Sequence, residues 1–189
     1  AVQKNGGIHC EGELEGFQPV SYAGHEIEQA LDGADIIYAV GPAYSTRPFA
    51  EACKPHLKQG QIVIVCPSSC GGAIEFKNGA GLDLRDDNII VAETSTLPYA
   101  VRILEPGKIR IFNNLNGGLF LAAVPAKNTT TVLERVRDVY PAMSAAKNIL
   151  QTSLQNGNPV IHPTITLMNV ALIERTQGDF EFYHEGVTP

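Results

Sequence analysis

The stretch ADIIYAVGPAYSTRPFAEACKPHLKQGQIVIVCPSSCGG, residues 34–72, decides the fold class. It opens on an apolar run, Ile36–Val40, which Gly41–Pro42 breaks. Phe49, Ala50, Cys53 and Leu57 then recur at helical spacing between about Arg47 and Leu57. Gln59–Gly60 turns the chain into a second apolar run, Gln61–Cys66, and Pro67–Ser68–Ser69–Cys70–Gly71–Gly72 turns it out again. Strands without polar alternation are what a parallel sheet covered on both faces requires. Strand, turn, helix, strand, turn is the βαβ grammar of a doubly wound α/β sheet.

Working outward, His25–Leu31 reads as a short amphipathic helix stopped by Gly33, and Asn88–Ala92 as a third strand ending at Glu93–Thr94–Ser95–Thr96. Lys108–Asn113 and Leu119–Val124 are expected to pair across Asn114–Leu115–Asn116–Gly117–Gly118, a strong turn signal, giving the sheet an antiparallel edge. Asn128 or Thr129 can cap a helix running to about Asp138. From about Met143 the pattern becomes helical, with helices over Asn148–Gln155 and Pro163–Arg175, the second starting on its proline. Residues 1–143 are therefore expected to form an α/β part and 144–189 the linker and beginning of a helical part.

Composition narrows the function. Fourteen Lys and Arg against twenty Asp and Glu give a net charge of −6, and no basic cluster occurs, which argues against nucleic acid or an anionic membrane as partner. A hydrophobic content of 44% excludes disorder. The longest apolar runs, Ile62–Cys66 and Leu119–Pro125, fall far short of the roughly 18 residues of a membrane span. Four irregularly spaced cysteines suit a reducing, cytoplasmic setting. Cys66 and Cys70 have no second ligand pair at metal-site spacing, so no metal is expected.

In a doubly wound sheet, ligands bind beyond the carboxyl ends of the strands. Three such ends, Gly41–Tyr44, Pro67–Gly72 and Glu93–Pro98, carry small or hydroxyl residues that let backbone approach a flat ligand. Together they read as a nucleotide cleft. No G-x-G-x-x-G or G-x-x-x-x-G-K-S/T occurs, so the first βαβ unit is expected upstream of Ala1. His162, in the short link Asn158–Pro163 before a helix, is the best candidate for proton exchange near pH 7. His9, His25, His56 and His184 read as surface residues, and Glu93 as a turn carboxylate. Arg102 and Arg110 read as solvated strand charges that can alternatively hold a substrate carboxylate.

The segment Gln155–Asn156–Gly157–Asn158–Pro159–Val160–Ile161–His162–Pro163, continued by Leu167–Met168–Asn169, resembles the histidine segment of opine dehydrogenases of the octopine/nopaline type. Glu93–Ile103, Pro67–Ser69, Gly71–Phe76 and Phe180–Pro189 are similar to other segments of that family, in the same order. The resemblance implies a partial Rossmann-type doubly wound parallel sheet followed by the start of an α-helical domain, matching the middle of longer enzymes. It implies NAD or NADP as cofactor and two small-molecule substrates, a 2-oxo acid such as pyruvate and an amino acid, joined reductively at the amino group. Carried over residue by residue, His162 handles the proton, paired in the family with an aspartate of the helical domain that no Asp here matches. Ser69 and Thr96 line the oxo-acid site, the former replacing the family's glutamine, and Pro42, Ala43, Pro67 and Ser68 flank the nicotinamide ribose or ring. A homodimer is left open. Two alternatives remain at this stage. One is a ketopantoate reductase or glycerol-3-phosphate dehydrogenase relative, whose catalytic lysine would be Lys127 or Lys147; the other is a catalytically inert α/β binding module.

Overall fold

The structure, a computed structural model, describes residues 1–68 and 70–187. In chain order it runs α1 (Val2–Asn5), β1 (Gly7–Gly12), β2 (Gly16–Pro19), α2 (Ile27–Leu31), β3 (Ile36–Ala39), α3 (Thr46–Cys53) and β4 (Ile62–Val65). It continues with α4 (Gly72–Ala80), β5 (Ile90–Thr94), β6 (Tyr99–Glu105), β7 (Lys108–Asn114), β8 (Phe120–Val124) and α5 (Thr129–Val136). The last elements are β9 (Ser144–Ala145), α6 (Ile149–Gln155), α7 (Asn158–Met168) and α8 (Val170–Arg175). No helix among the described residues is long and apolar enough to cross a membrane.

The main sheet has strand order β3-β4-β5-β8-β9. Strands β3, β4 and β5 are parallel, and β8 pairs antiparallel with β5. Every residue of β4 is buried, because both faces of the sheet are covered. On one face Val63, Val65 and Val91 pack with Ala50 and Cys53 of α3 and Ala73, Phe76 and Ala80 of α4. On the other, Ile62, Ile64, Ala92, Leu121 and Ala123 pack with Val132 and Val136 of α5. Side chains of a strand alternate between faces, so a strand covered on both sides is apolar at every position. The doubly wound parallel sheet is the fold read from the sequence, but the antiparallel strand expected at its edge, β8, lies inside it, between β5 and the two-residue β9.

Four readings need correction. Lys108–Asn114 does not pair with Leu119–Val124. It forms a hairpin with β6 across Pro106–Gly107, where Gly107 has φ 87°, and β8 goes to β5 in the main sheet. The wholly apolar β8 needs cover on both faces, which the hairpin does not provide, whereas the main sheet does. A second sheet, order β2-β1-β7-β6, holds that hairpin together with Gly7–Gly12 and Gly16–Pro19, whose glycine-rich strands give little periodic signal. The third strand extends to Thr94, which places Glu93 within the sheet and not in a turn. The helix expected to start at Pro163 starts at Asn158, with Pro159 in its first turn and Pro163 inside it, and Asn169 separates it from α8. His162 thus stands in the second turn of a helix rather than on a link before one.

The packing of α4 on the sheet gives a direct test. Phe76 is fully buried, so Phe76→Ala should destabilise the fold by about 3–5 kcal/mol. Tyr44→Ala, at a residue 83% exposed, should change stability by less than about 0.5 kcal/mol. Urea unfolding of both variants beside the parent checks the pair, and a Phe76→Ala midpoint equal to the parent's would refute the placement of α4.

Candidate active site

The turn after β4 is built by a buried polar network. Glu93 is 0% exposed on β5, and its carboxylate is met by three donors. The backbone N–H of Ala73, in the first turn of α4, donates to Oε2 at 3.0 Å. The hydroxyls of Thr152 and Ser153 on α6 donate to Oε1 at 2.6 and 3.0 Å. Ser153 Oγ in turn accepts from the N–H of Gly71, and Asn156 Nδ2 donates to the carbonyl of Ser68 at 2.7 Å. Ser68 closes the turn on itself, its hydroxyl accepting from Gly72 N–H and its own N–H donating to Thr94 O. Gly72 is required there: a Cβ would stand 2.9 Å from Val65 Cγ1 and 3.2 Å from Ser68 Oγ. A burial of this kind is tolerated only with full hydrogen bonding, and a helix N-terminus favours the negative charge.

Beyond the carboxyl ends of β3 and β4 lies a mainly apolar cleft of about 480 Å³. Tyr38, Val40 and Cys66 form its floor, Leu97 to Arg102 one wall, and Tyr140 another. The Tyr38 and Tyr140 rings meet edge-on at 5.9 Å, and Tyr99 and Tyr140 at the same distance. Burial, with the neighbouring tyrosines and Cys66, pushes the Tyr140 phenol up to about 12 and that of Tyr38 higher still. Burial likewise raises the Cys66 thiol, while Cys70 is exposed. Arg102 lines the cleft and donates only to its neighbouring carbonyl, Val101 O, with no carboxylate partner among the described residues. Arg110, opposite it in the hairpin, is paired with Glu11 at 2.7 Å.

The residues singled out in the sequence fall into distinct roles. Pro42 and Ala43 are exposed just past β3, and Pro67 is half-buried just past β4. Ser68 is buried with its hydroxyl held inside the turn. Thr96 is half-buried past β5, and its carbonyl accepts from Thr94 Oγ1. Ser69 lies outside the described residues. Lys127 is ion-paired with Asp87 near the amino end of β5, away from the cleft, and Lys147 is exposed before α6. Neither supports the lysine-dependent alternative. Sequence reasoning missed the roles of Thr152, Ser153 and Asn156; their polar side chains on an otherwise amphipathic helix face were the available signal.

His162 is half-buried on α7. Its Nε2 lies 2.6 Å from the Tyr183 hydroxyl, and the Phe182 ring stands edge-on to it at 5.8 Å. The helix reaches the sheet through α6 and Asn156, so the Glu93 network that shapes the β4 turn also fixes where α7 begins.

A doubly wound sheet has its cleft at the strand carboxyl ends and leads into helices that carry a histidine. Solved structures agree on that fold. An octopine dehydrogenase determined with NADH and pyruvate has TM-score 0.66 at 17% identity, covering 95% of this chain and 46% of that one. A ketopantoate reductase from Ralstonia eutropha JMP134 has TM-score 0.59 at 17% identity, covering 93% and 53%. The model of the NAD/NADP octopine/nopaline dehydrogenase α-helical domain matches residues 145–189. An opine dehydrogenase from Arthrobacter sp. (strain 1C) is 34% identical over the whole chain, and a tauropine dehydrogenase from Arabella iricolor is 29% identical over 73% of it. The chain is thus similar to opine dehydrogenases along its whole length. It spans 52% of the Arthrobacter relative and 36% of the Arabella one.

Two measurements probe the site. Glu93→Gln keeps the shape but turns an amide N–H toward a donor, so it should lower stability by about 2 kcal/mol in urea unfolding; stability at or above the parent's would refute the network. The tyrosines predict an alkaline effect. Because the folded Tyr140 pKa, about 12, exceeds the unfolded value, near 10, its neutral form supports the fold fully below pH 10. That support is lost as pH rises toward 12. Tyr140→Phe should flatten the fall in stability between pH 10 and 12, and an unchanged slope would contradict it.

Proposed function

We propose that this chain forms part of an NAD(P)H-dependent opine dehydrogenase, which condenses a 2-oxo acid such as pyruvate with the amino group of an amino acid and reduces the product. The observation that carries this reading is the 34% identity to an opine dehydrogenase along the whole chain. We place a domain boundary at 143/144, between an α/β cofactor part and a helical part; the match of the helical-domain model from residue 145 supports it.

The cleft fits the nicotinamide end of such a cofactor. It is apolar, of suitable size, and bordered at the strand ends by small or proline residues, Pro42, Ala43 and Pro67, that let a flat ring approach. Ser68 contributes by holding its turn rather than by offering its hydroxyl. A reduced nicotinamide, when bound, supplies the hydride. His162 exchanges a proton with the reacting carbonyl or imine. Thr96, at the end of β5, hydrogen-bonds the oxo acid, with Ser69 assigned to the same pocket. Arg102, the cleft's guanidinium without a carboxylate partner among the described residues, suits the substrate carboxylate. Four free cysteines fit a cytoplasmic enzyme.

The test is NADH and NADPH oxidation by the complete protein with pyruvate against a panel of amino acids. His162→Gln should lower turnover by about 10²–10⁴-fold while leaving the cofactor dissociation constant near that of the parent. Turnover within about threefold of the parent, far inside that range, would show that His162 is not the proton-exchanging group.

A further inference from the structure

Asn156 stands between the turn after β4 and the helix that carries His162, and it is bonded to both. It caps the end of α6 with an extended backbone, φ −77° and ψ 104°, and is 6% exposed. Its side-chain amide uses both of its ends. Nδ2 donates to the carbonyl of Ser68 at 2.7 Å, and Oδ1 accepts from the backbone N–H of Asn158, the first residue of α7, at 3.0 Å. These neighbours dictate which end of the amide is which, since a carbonyl only accepts and a backbone N–H only donates. Gly157, at the cap position, has no side chain to offer the first turn, and Pro159 has no N–H that needs one. The N–H groups of Val160 and Ile161 both turn back to Gly157 O, at 3.1 and 2.9 Å, which leaves the Asn158 N–H to Asn156. The aromatic turn after α8 meets the same helix farther along, through Phe182 and Tyr183 at His162 and through Asn169 Nδ2, which donates to Gly186 O at 3.3 Å. That turn belongs to the helical part itself, so it does not set the distance of α7 from the sheet.

We propose that Asn156 is a positioning residue for the reaction: its amide sets the separation between the Pro67–Ser68 turn, which borders the nicotinamide, and His162, which exchanges the proton. The inference rests on those two placements in the proposed function. Hydride and proton reach one substrate from two different parts of the fold, so their sources need a fixed spacing, and a misplacement of about 1 Å costs up to about 10²-fold in rate. Three features support the assignment. The sheet end of the bridge is held independently, because Ser68 is 0% exposed, its N–H donates to Thr94 O, and its hydroxyl accepts from Gly72 N–H. The helix end is close to the chemistry, because His162 follows Asn158 by four residues, about one turn or roughly 6 Å along the axis. Packing does not hold this junction, because Val160 and Ile161, the apolar residues of the first turn of α7, are 69% and 46% exposed. A carboxamide of this length suits the task. Aspartate keeps an acceptor for Asn158 N–H but sets an oxygen against Ser68 O, and serine is too short to span the two contacts.

The experiment compares Asn156→Asp, Asn156→Ser and His162→Gln in the complete protein, with turnover counted per folded molecule. Both Asn156 variants lose the bond to Ser68 O; the serine variant adds no buried charge and gives the same reading where the aspartate variant does not fold. Turnover should fall about ten- to a hundredfold in each, with the cofactor dissociation constant near the parent's. The solvent deuterium isotope effect on turnover should rise, because a displaced His162 makes the proton transfer slower. A merely structural cap predicts a lowered melting temperature with turnover within about threefold of the parent, well inside the range expected for misplacement, and an unchanged isotope effect. That result overturns the proposal, and a severely impaired His162→Gln in the same assays shows that the reading of His162 stands without it. A weakened cofactor affinity with an unchanged isotope effect would confine Asn156 to the turn and also overturn the proposal. If His162→Gln turns over like the parent, the reading of His162 fails and the proposal fails with it.

Discussion

The buried carboxylate of Glu93 is the constraint on which the site depends. An ionised carboxyl removed from water costs several kcal/mol unless its lone pairs are met, and breaking such an arrangement by removing one partner is more damaging than never having built it. Here three donors come from two different elements, the first turn of α4 and the middle of α6. The carboxylate therefore holds together segments about 60 residues apart in sequence, as the Thr152 and Ser153 bonds show. With Asn156 reaching Ser68 O, and Ser153 receiving Gly71 N–H, the strand end, the turn and the following helices form one unit.

Apolar packing alone does not achieve this. The two core clusters specify that α3 and α4 cover one face and α5 the other, but burial is non-directional and tolerates sliding. The helices after β9 bring little to either cluster: Ile149 packs against the first, while Leu150 and Leu154 are 66% and 82% exposed. The direction of α6, and with it the placement of α7 and His162, is set by hydrogen bonds with fixed geometry. Asn148 starts that helix, its side chain accepting from Leu150 and Gln151 N–H, and the Glu93 bonds orient it.

How much of this was legible follows from which signals are local. The β4 strand, its turn and the βαβ order were readable because apolar runs bounded by Gly and Pro carry their own meaning. The pairing of β7 with β6 was not, since Asn114–Gly118 advertises a turn more loudly than Pro106–Gly107, and which strand a hairpin partner joins is decided by cover far away in sequence. Pro163 was read as a helix start because a proline inside a helix is costly, yet Pro159 already occupied the favoured first-turn position four residues earlier. Glu93 was misjudged for the same reason: nothing adjacent to it reveals that Thr152 and Ser153 wait to receive it. The histidine segment stood out through its prolines and through its resemblance to a family, whereas the contact of His162 with Tyr183, 21 residues away, had no local signature.

The position of His162 also follows from the proline it precedes. Pro163 has no N–H to give to the carbonyl of Pro159, so the helix loses one rung on the stretch that carries the histidine. On the same stretch the hydroxyls of Thr164 and Thr166 donate to Val160 O and His162 O, one turn back along the helix, at 2.7 and 2.9 Å. The second of these bonds ties the backbone of His162 to the turn that follows it. A helix lacking one rung carries His162, Ile165 and Asn169 on one face, and the aromatic turn closes that face. Sheet, buried carboxylate, helix and turn thus act in series, each fixing the next, and the imidazole is oriented at the end of that chain.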